Sequence, residues 1–433
     1  MTAPRRPSGL LLAAIACSGT LALHIFVPVL PAVARDFAAT PGAAQMTLTV
    51  YLIGLAAGQL IYGPVSDRFG RRPVLIAALL VFLAATLLAA VAPSLNWLIA
   101  ARVVQALGAC GGLVLGRAMA RDGATPEQAG RRLALLVMAM TVAPAIAPLI
   151  GSTAAILLGW RGIFAVLGLA GAALLVLTLF TLPETNRLRA ALPNPLAMLR
   201  VYGRLLGRRS FRAYAAGGAC MSTSIYAFLS ASPFLFIEVL HRPPGEIGVY
   251  YMALFFGITL GSWLASRLAL RVPIERLLRA GALAGMLAAG GLLAVDLSGR
   301  LSVATMLAPT ALYAIGCGLS SPLATARAIG VDLRAIGAAS ALYGFLQMSF
   351  GALCTMLVGV WHVHSAAPVA GILLAAATTA QVAFALAGAP ALENAEDAEV
   401  TRGTQRMTGN ATARRPLLRR HMRDGIARIV NGH

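Results

Sequence analysis

Long apolar runs separated by short polar breaks dominate the pattern of this chain. Each run is close to the roughly 20 residues that a helix needs to cross about 30 Å of hydrocarbon. The runs cover residues 10–33, 43–65, 73–92, 97–120, 133–158 and 162–182 in the first half, and 214–240, 248–270, 277–295, 301–324, 336–360 and 366–389 in the second. The pattern therefore predicts an all-α membrane protein with twelve transmembrane helices.

An arginine-rich stretch separates the sixth run from the seventh. Six spans on each side of a linker are typical of transporters built from two repeated halves with a site between them. We assign an N-terminal half to residues 1–184, a cytoplasmic linker to 185–212, a C-terminal half to 213–390 and a disordered cytoplasmic tail to 391–433. Residues 417–430 of the tail have an alternative interpretation as a basic amphipathic helix on anionic lipid.

Composition narrows the class of protein. Of the 433 residues, 59% are hydrophobic and 12% are charged, whereas charged residues make up about 25% of an ordinary soluble domain. This excludes a soluble enzyme. The five cysteines lie in apolar stretches without a Cys-x-x-Cys pair, so the sequence predicts no metal site and no cofactor. A membrane enzyme would need a nucleophile with a base, or a metal cluster, and the spans supply neither.

The charge of the chain carries topological information. Lysine is absent, and 35 arginines against 15 acidic residues give a net charge of +20. Thirty of the arginines fall in the termini and in alternate loops, which the positive-inside rule places in the cytoplasm. We therefore expect a multi-pass membrane protein with both termini cytoplasmic. Binding to nucleic acid, or a scaffold role for the tail, would rest on charge alone.

The strongest local motif is Gly-Pro-Val-Ser-Asp-Arg-Phe-Gly-Arg-Arg-Pro at residues 63–73, between the second and third spans. A glycine at Gly63 lets helices approach closely, and Gly70 supplies the tight reversal. Asp67 is an anion at a helix end, able to cap a helix of the other half or to pair with Arg71. The candidate gating residues are Gly63, Asp67, Arg68, Gly70, Arg71 and Arg72.

This stretch resembles the cytoplasmic loop motif of the major facilitator superfamily, with Val65 and Arg72 in place of leucine and lysine. The resemblance implies the major facilitator fold and a latch between the halves in the outward-facing state. The stretches at 45–51, 58–64 and 182–185 are similar to the bicyclomycin and chloramphenicol resistance branch (Bcr/CflA) of the drug:proton antiporters. That branch exports small drugs in exchange for protons.

The fourth span contains Arg102 and Gln105 on one helical face. Arginine within hydrocarbon is costly unless it faces protein or water, so we expect Arg102 to point into the cavity; the alternative is an interfacial arginine near Trp97. The segment is similar to the Arg-x-x-Gln-Gly motif of the superfamily, with Ala106 for glycine. The resemblance implies that Arg102 takes part in proton coupling.

The fifth span carries Pro144 and Pro148, which remove helix hydrogen bonds and predict a bend. With Gly151, they resemble the antiporter motif Gly-Pro-x-x-Gly-Gly, although Ala147 and Ser152 replace two of its glycines. The resemblance implies a helix that bends at the interface between the halves. A helix that is merely kinked is the alternative interpretation.

His24 stands where the resembling branch usually has an aspartate, before Pro28 in the first span. No aspartate or glutamate occupies the centre of a span, so cation selectivity through a buried carboxylate is not expected. A histidine with an ordinary pKa of about 6.5 titrates near neutral pH, whereas arginine does not. We therefore hypothesise that His24 carries the proton; the alternative is a neutral histidine bonded to a backbone carbonyl or in contact with the drug.

The sequence as a whole predicts a monomeric exporter of small amphipathic, neutral or weakly acidic compounds, with protons and membrane lipids as its other partners. A facilitated or symport carrier for a metabolite is the alternative. Candidate residues lining the substrate cavity are Phe26, Tyr51, Gln105, Tyr226, Tyr313 and Gln347.

Overall fold

The computed structural model describes residues 8–186, 195–332, 334–361 and 365–387. All regular elements in these ranges are helical, which confirms the predicted all-α class. The described residues belong to one compact unit that ends at Ala387. The predictions for the tail, including the helix at 417–430, lie outside the described residues, as do linker residues 187–194.

Fourteen α-helices make up the described chain. Those of the first half are α1 (Gly9–His24), α2 (Leu30–Asp36), α3 (Pro41–Phe69), α4 (Arg71–Ala90), α5 (Leu95–Arg121) and α6 (Pro126–Thr181). The linker contains α7 (Pro195–Gly207). The second half contains α8 (Arg209–Thr223), α9 (Ile225–Phe234), α10 (Ile247–Leu268), α11 (Ile274–Leu297), α12 (Val303–Ile329), α13 (Ile336–Val360) and α14 (Ala367–Leu386).

The first and seventh spans are broken helices. In the first span, a 3₁₀ turn at Val27–Val29 joins α1 to α2, because Pro28 and Pro31 have no N–H to continue the helical hydrogen bonds. The seventh span consists of α8 and α9 followed by a π turn at Leu235–Val239. The turn in the first span is fully buried, whereas the π turn of the seventh span is buried only at Leu235 and Phe236.

The fifth and sixth spans follow each other without a loop within α6. At Gly159, a φ of 72° and a ψ of 173° separate the two helices of this 56-residue stretch. Arg161, two residues later, pairs with Asp36 at the end of α2 at 2.7 Å and donates to the carbonyl of Ala92 at 3.1 Å. Eleven helices of the described chain are long and apolar enough to cross a membrane, and one is this double span. The twelve predicted spans are therefore present.

The two halves meet through α3 against α13 and through α6 against α10. Near the start of α3, a Cβ on Gly42 would lie 2.0 Å from the carbonyl oxygen of Gly359, so the two backbones are in direct contact. Further along, the hydroxyls of Thr49 and Thr355 lie 2.8 Å apart, both buried. The predicted topology places this end of the bundle outside the cell. The halves are thus packed together at the outer end.

A cysteine pair at Thr49 and Thr355 will form a disulfide that blocks transport reversibly. The hydroxyl separation of 2.8 Å suits the Cβ spacing of about 3.5–4.5 Å that a disulfide requires. We expect oxidation to stop transport, because the outer end can then no longer open, and reduction to restore it. Peptide mapping by mass spectrometry identifies the bond. Thr47 points back to the carbonyl of Ala44, so a Thr47/Thr355 pair is the control and should stay reduced.

Candidate functional site

The turn between α3 and α4 is held by carboxylates of its own half. Gly70 has a φ of 98°, a backbone conformation that favours glycine. The Glu184 carboxylate accepts hydrogen bonds from the backbone N–H groups of Arg71 at 3.0 Å and Arg72 at 3.1 Å. Glu184 therefore caps the N-terminus of α4, where an anion is stabilised by the free N–H groups and the helix dipole.

A chain of polar contacts extends this cluster to α5 and to the end of α6. Asp67 pairs with the Arg71 guanidinium at 2.7 Å, and the Nε of Arg71 lies 3.2 Å from Asp122. The Thr185 hydroxyl donates to Asp122 at 2.9 Å, and the Asn186 amide donates to the Asp67 carbonyl at 2.9 Å. These contacts all lie within the first half and the first two residues of the linker. Asp67 thus has the Arg71 partner predicted for it, and not a helix of the second half.

Three other gating candidates of the motif have more limited contacts. The sequence predicts a close helix approach at Gly63, but the structure does not have one there. A Cβ added to Gly63 would have no heavy atom of another segment within 4 Å. Arg72 donates to the Leu179 carbonyl at 2.7 Å. Arg68 is exposed and lies over the neighbouring Phe69 ring at 5.5 Å. In this conformation the motif is organised by Gly70, Asp67 and Arg71.

Arg102 lies in a fully buried aromatic cage. Its guanidinium carbon is 4.6 Å from the centre of the Phe26 ring and 4.2 Å from that of Tyr51, distances typical of cation–π contacts. One guanidinium nitrogen donates to the Gln105 side chain at 2.7 Å and to the Ala22 carbonyl at 3.2 Å. Full burial excludes the alternative of an interfacial arginine. The cage brings together three of the predicted lining residues, Phe26, Tyr51 and Gln105.

The charge of Arg102 has no acidic counterpart among the described residues. Its Nε and its second terminal nitrogen are buried without a hydrogen-bond partner. Gln105 is itself fixed by donating to the Thr86 hydroxyl at 2.8 Å. A buried cation stabilised only by ring faces, an amide and a carbonyl retains an unbalanced charge.

His24 lies at the contact between the two halves. The ring is 5.3 Å from Phe255 on α10 and 5.9 Å from Tyr226 on α9, measured between ring centres. Its Nδ1 is 2.7 Å from the Thr20 carbonyl, which can only accept, so Nδ1 carries the proton in the neutral ring. The backbone bond named in the alternative interpretation is thus present. Because His24 ends α1 immediately before the break, the ring sits where the helix can change direction.

Two residues that the sequence predicts to line the substrate cavity form side-chain hydrogen bonds within the second half. The Tyr313 hydroxyl bonds to the Ser224 hydroxyl at 2.7 Å and faces the Leu373 carbonyl at 3.4 Å. The Gln347 amide donates to the Ser222 hydroxyl at 2.7 Å. Both side chains bond within that half, whereas the Tyr226 ring contacts His24 of the first half. Sequence reasoning missed Phe255 and Glu184 as site residues; only the Leu-Pro-Glu-Thr stretch at 182–185 signalled the latter.

The fifth span is wedged between the first span and the second half. A Cβ on Gly151 would lie 2.1 Å from the Ile25 carbonyl oxygen, and one on Gly248 would lie 2.8 Å from the Ser152 hydroxyl. Pro144 and Pro148 are buried in the same stretch of α6. The stretch that carries the two prolines thus contacts Ile25, directly after α1, and Gly248 on α10 of the second half. The bend itself stays a prediction, since the non-helical backbone angles in α6 are those of Gly159.

Replacing Pro144 and Pro148 together with alanine will slow the transport cycle more than it weakens substrate binding. Restoring two helix hydrogen bonds straightens and stiffens the span, while the substrate contacts stay in place. We expect a several-fold lower maximal rate in proteoliposomes and an affinity changed by less than about threefold, below 1 kcal/mol. Pro309→Ala in α12, another helix-interior proline, is the control. An unchanged rate with altered affinity would contradict the assignment.

Comparison with known proteins gives one family and several relatives. A family model for the Major Facilitator Superfamily matches residues 11–356. An uncharacterized MFS-type transporter of Bacillus subtilis, YdgK, is 32% identical over 86% of this chain and 93% of its own. Multidrug resistance protein D of Escherichia coli is 32% identical over 78% and 84%, and the bicyclomycin resistance protein homolog of Haemophilus influenzae is 26% identical over 80% and 87%.

Solved structures show the same fold. The chain resembles a D-xylose-proton symporter with a TM-score of 0.71 and 13% identity, over 88% of this chain and 96% of that one. It resembles an inward-facing, unoccupied bacterial homolog of the human lysosomal transporter Spinster with a TM-score of 0.68 and 16% identity, over 88% and 95%. At these identities the likeness concerns the fold alone.

Proposed function

The chain belongs to the major facilitator superfamily, with relatives in its Bcr/CflA branch, and on this premise we propose that it is a multidrug exporter that exchanges small compounds for protons. It is a multi-pass protein of the bacterial inner membrane, and the arginine distribution favours cytoplasmic termini. Relatives with multidrug and bicyclomycin resistance in their names support the export of drug-like compounds. We further propose that the transporting unit is a monomer.

The observation that carries this proposal is the position of His24. A titratable ring at the contact between the halves, next to the break of the first span, can be exposed to either side as the halves rock. Protonation there changes the contacts with Tyr226 and Phe255, and so favours one arrangement of the halves over the other. Loss of the proton favours the other arrangement, which is the coupling that antiport needs.

Arg102 supports the proposed substrate class. Because its charge is permanent and has no acidic partner among the described residues, a cationic drug would be repelled while a neutral or weakly acidic one would not. Phe26 and Tyr51 supply apolar area beside it. We therefore propose neutral and weakly acidic amphipathic compounds as substrates. Arg102 tunes the site and does not carry the proton.

A latch at the inner end fits the same cycle. In this structure the outer end is packed, and the Asp67 cluster bonds within its own half. We propose that Asp67 engages the second half when the outer end opens, stabilising the outward-facing state.

A susceptibility panel in an efflux-deficient bacterial host tests the function. We expect the intact protein to raise the inhibitory concentration of neutral and weakly acidic antibiotics, and the Arg102→Gln variant at equal expression to lose this protection. Protection that is restricted to cationic dyes would contradict the substrate class. No protection, with proton-independent uptake of a metabolite in proteoliposomes, would favour the facilitated-carrier alternative.

A further inference from the structure

The linker helix α7 presents an exposed surface that combines leucines with arginines. Leu199 is 63% exposed and Leu206 is 40% exposed. Arg200 and Arg204 are also exposed. At 100° per residue, positions 199 and 206 lie within about 20° of each other around the helix axis. Positions 200 and 204 lie roughly 100–160° further round, on the adjoining side of the helix. The outward surface of α7 therefore has an apolar part and a basic part, and both differ from the side that packs on the protein.

The opposite side of α7 is attached to the bundle. Leu205 is buried, and Met198, Val201 and Tyr202 line a cavity that they share with Ala338 at the start of α13. Arg208, directly after α7, donates to the Val331 carbonyl at 3.0 Å. The orientation of α7 is thus fixed, and the leucines and arginines described above are the residues that it presents outward.

From this arrangement we infer that α7 lies in the cytoplasmic surface of the membrane and binds anionic phospholipid, with its leucines among the acyl chains and its arginines at the phosphates. The place of α7 in the chain favours this position, since only Arg208 separates it from α8, where the seventh span begins. The positive charge of α7 is complementary to that of anionic lipid, since the chain has no acidic residue between Glu184 and Glu238 to neutralise it. Neither Arg200 nor Arg204 has an ion pair among the described residues.

Lipid binding at α7 would act on the moving parts of the transporter. Because α7 packs on the inner end of α13, and α13 pairs with α3 of the first half, a helix held in the lipid surface holds that inner end as well. The transport rate should then depend on the anionic lipid content of the membrane. This inference does not rest on the identity of the substrate.

Spin labels on the full-length protein test the position of α7. The five native cysteines are buried, so single cysteines at Leu199, Leu206 and Arg204 can be labelled selectively in vesicles of phosphatidylethanolamine and phosphatidylglycerol. We expect labels at 199 and 206 to be several-fold more accessible to oxygen than to a water-soluble nickel chelate, with the reverse at 204. Equal nickel accessibility at all three would overturn the inference, as would labels shielded from both probes, which indicate a protein partner.

The role of anionic lipid is tested in the same vesicles. Replacing phosphatidylglycerol with phosphatidylcholine, or the Arg200→Gln/Arg204→Gln double variant, should reduce the oxygen accessibility at 199 and make transport insensitive to phosphatidylglycerol. High salt should weaken the effect, because charges are screened beyond about 3 Å at 1 M. The Arg271→Gln/Arg276→Gln variant removes two other exposed arginines and should leave it unchanged. If the label at 199 is equally accessible to oxygen in phosphatidylcholine vesicles, the requirement for anionic lipid is overturned.

Discussion

Replacing Gly70 with valine will abolish drug export from protein that is correctly inserted in the membrane. A β-branched residue at a φ of 98° costs about 1–3 kcal/mol in backbone strain. Its Cβ would also lie 2.6 Å from the Glu184 carboxylate oxygen, so Glu184 would have to leave the N-terminus of α4. Resistance assays at matched membrane expression measure the loss.

Gly123 provides the matched control for this substitution. It also has a positive φ, of 60°, but nothing lies within 4 Å of its built Cβ position. Gly123→Val therefore shares the strain without displacing Glu184, and we expect most of the export activity to remain. Equal loss in both variants would mean that strain alone, and not the Glu184 cap, accounts for the defect.

Asp67→Asn is expected to reduce export several-fold without destabilising the protein. The pair with Arg71 is partly exposed, with 46% of the Asp67 side chain accessible, and such pairs contribute about 0–1 kcal/mol to stability. A thermal unfolding midpoint close to that of the wild type, together with poor export, would thus separate a conformational role from a structural one. Normal resistance from inserted Asp67→Asn and Gly70→Val would refute the latch.

The second large effect concerns the proton. Substrate added to purified wild-type protein in detergent should release up to one proton per transporter, and His24→Gln should release none. The release should depend on pH, since only a protonated imidazole has a proton to release. A pH indicator in weakly buffered solution measures it.

His241 supplies the control for proton release. It lies in the turn before α10, outside the spans, so His241→Gln removes an imidazole without touching the contact between the halves. We expect the His241→Gln variant to release as many protons as the wild type. Release that persists in His24→Gln would eliminate His24 as the carrier and direct attention to Asp36 or Asp67.

The sequence predicted best the features that depend on residues close together in the chain. Apolar length alone predicts the spans, and Pro28 predicts the distortion of the first span. It could not place α7 as a helix, because a 13-residue segment in an arginine-rich linker is too short to stand out from loop. The Gly159 joint was predicted only as a break between two runs.

The candidate site was predicted in part. Arg102 and Gln105 share a helix, so their contact follows from spacing. The rings around Arg102 come from the break of the first span and from α3, and Glu184 lies 113 positions beyond Arg71, whose N–H it binds. Phe255, the partner of His24 from the second half, carries no motif. Such contacts depend on how helices pack, which hydrophobic pattern does not specify.

The Gly159 joint has a mechanical consequence. With a single residue between the fifth and sixth spans, their outer ends have no slack, and a displacement of one is passed directly to the other. The Arg161–Asp36 ion pair returns that displacement to the first span. The outer ends of these three spans therefore form a closed mechanical loop, and the first half should rotate as one stiff body, with its deformation confined to the distant inner end.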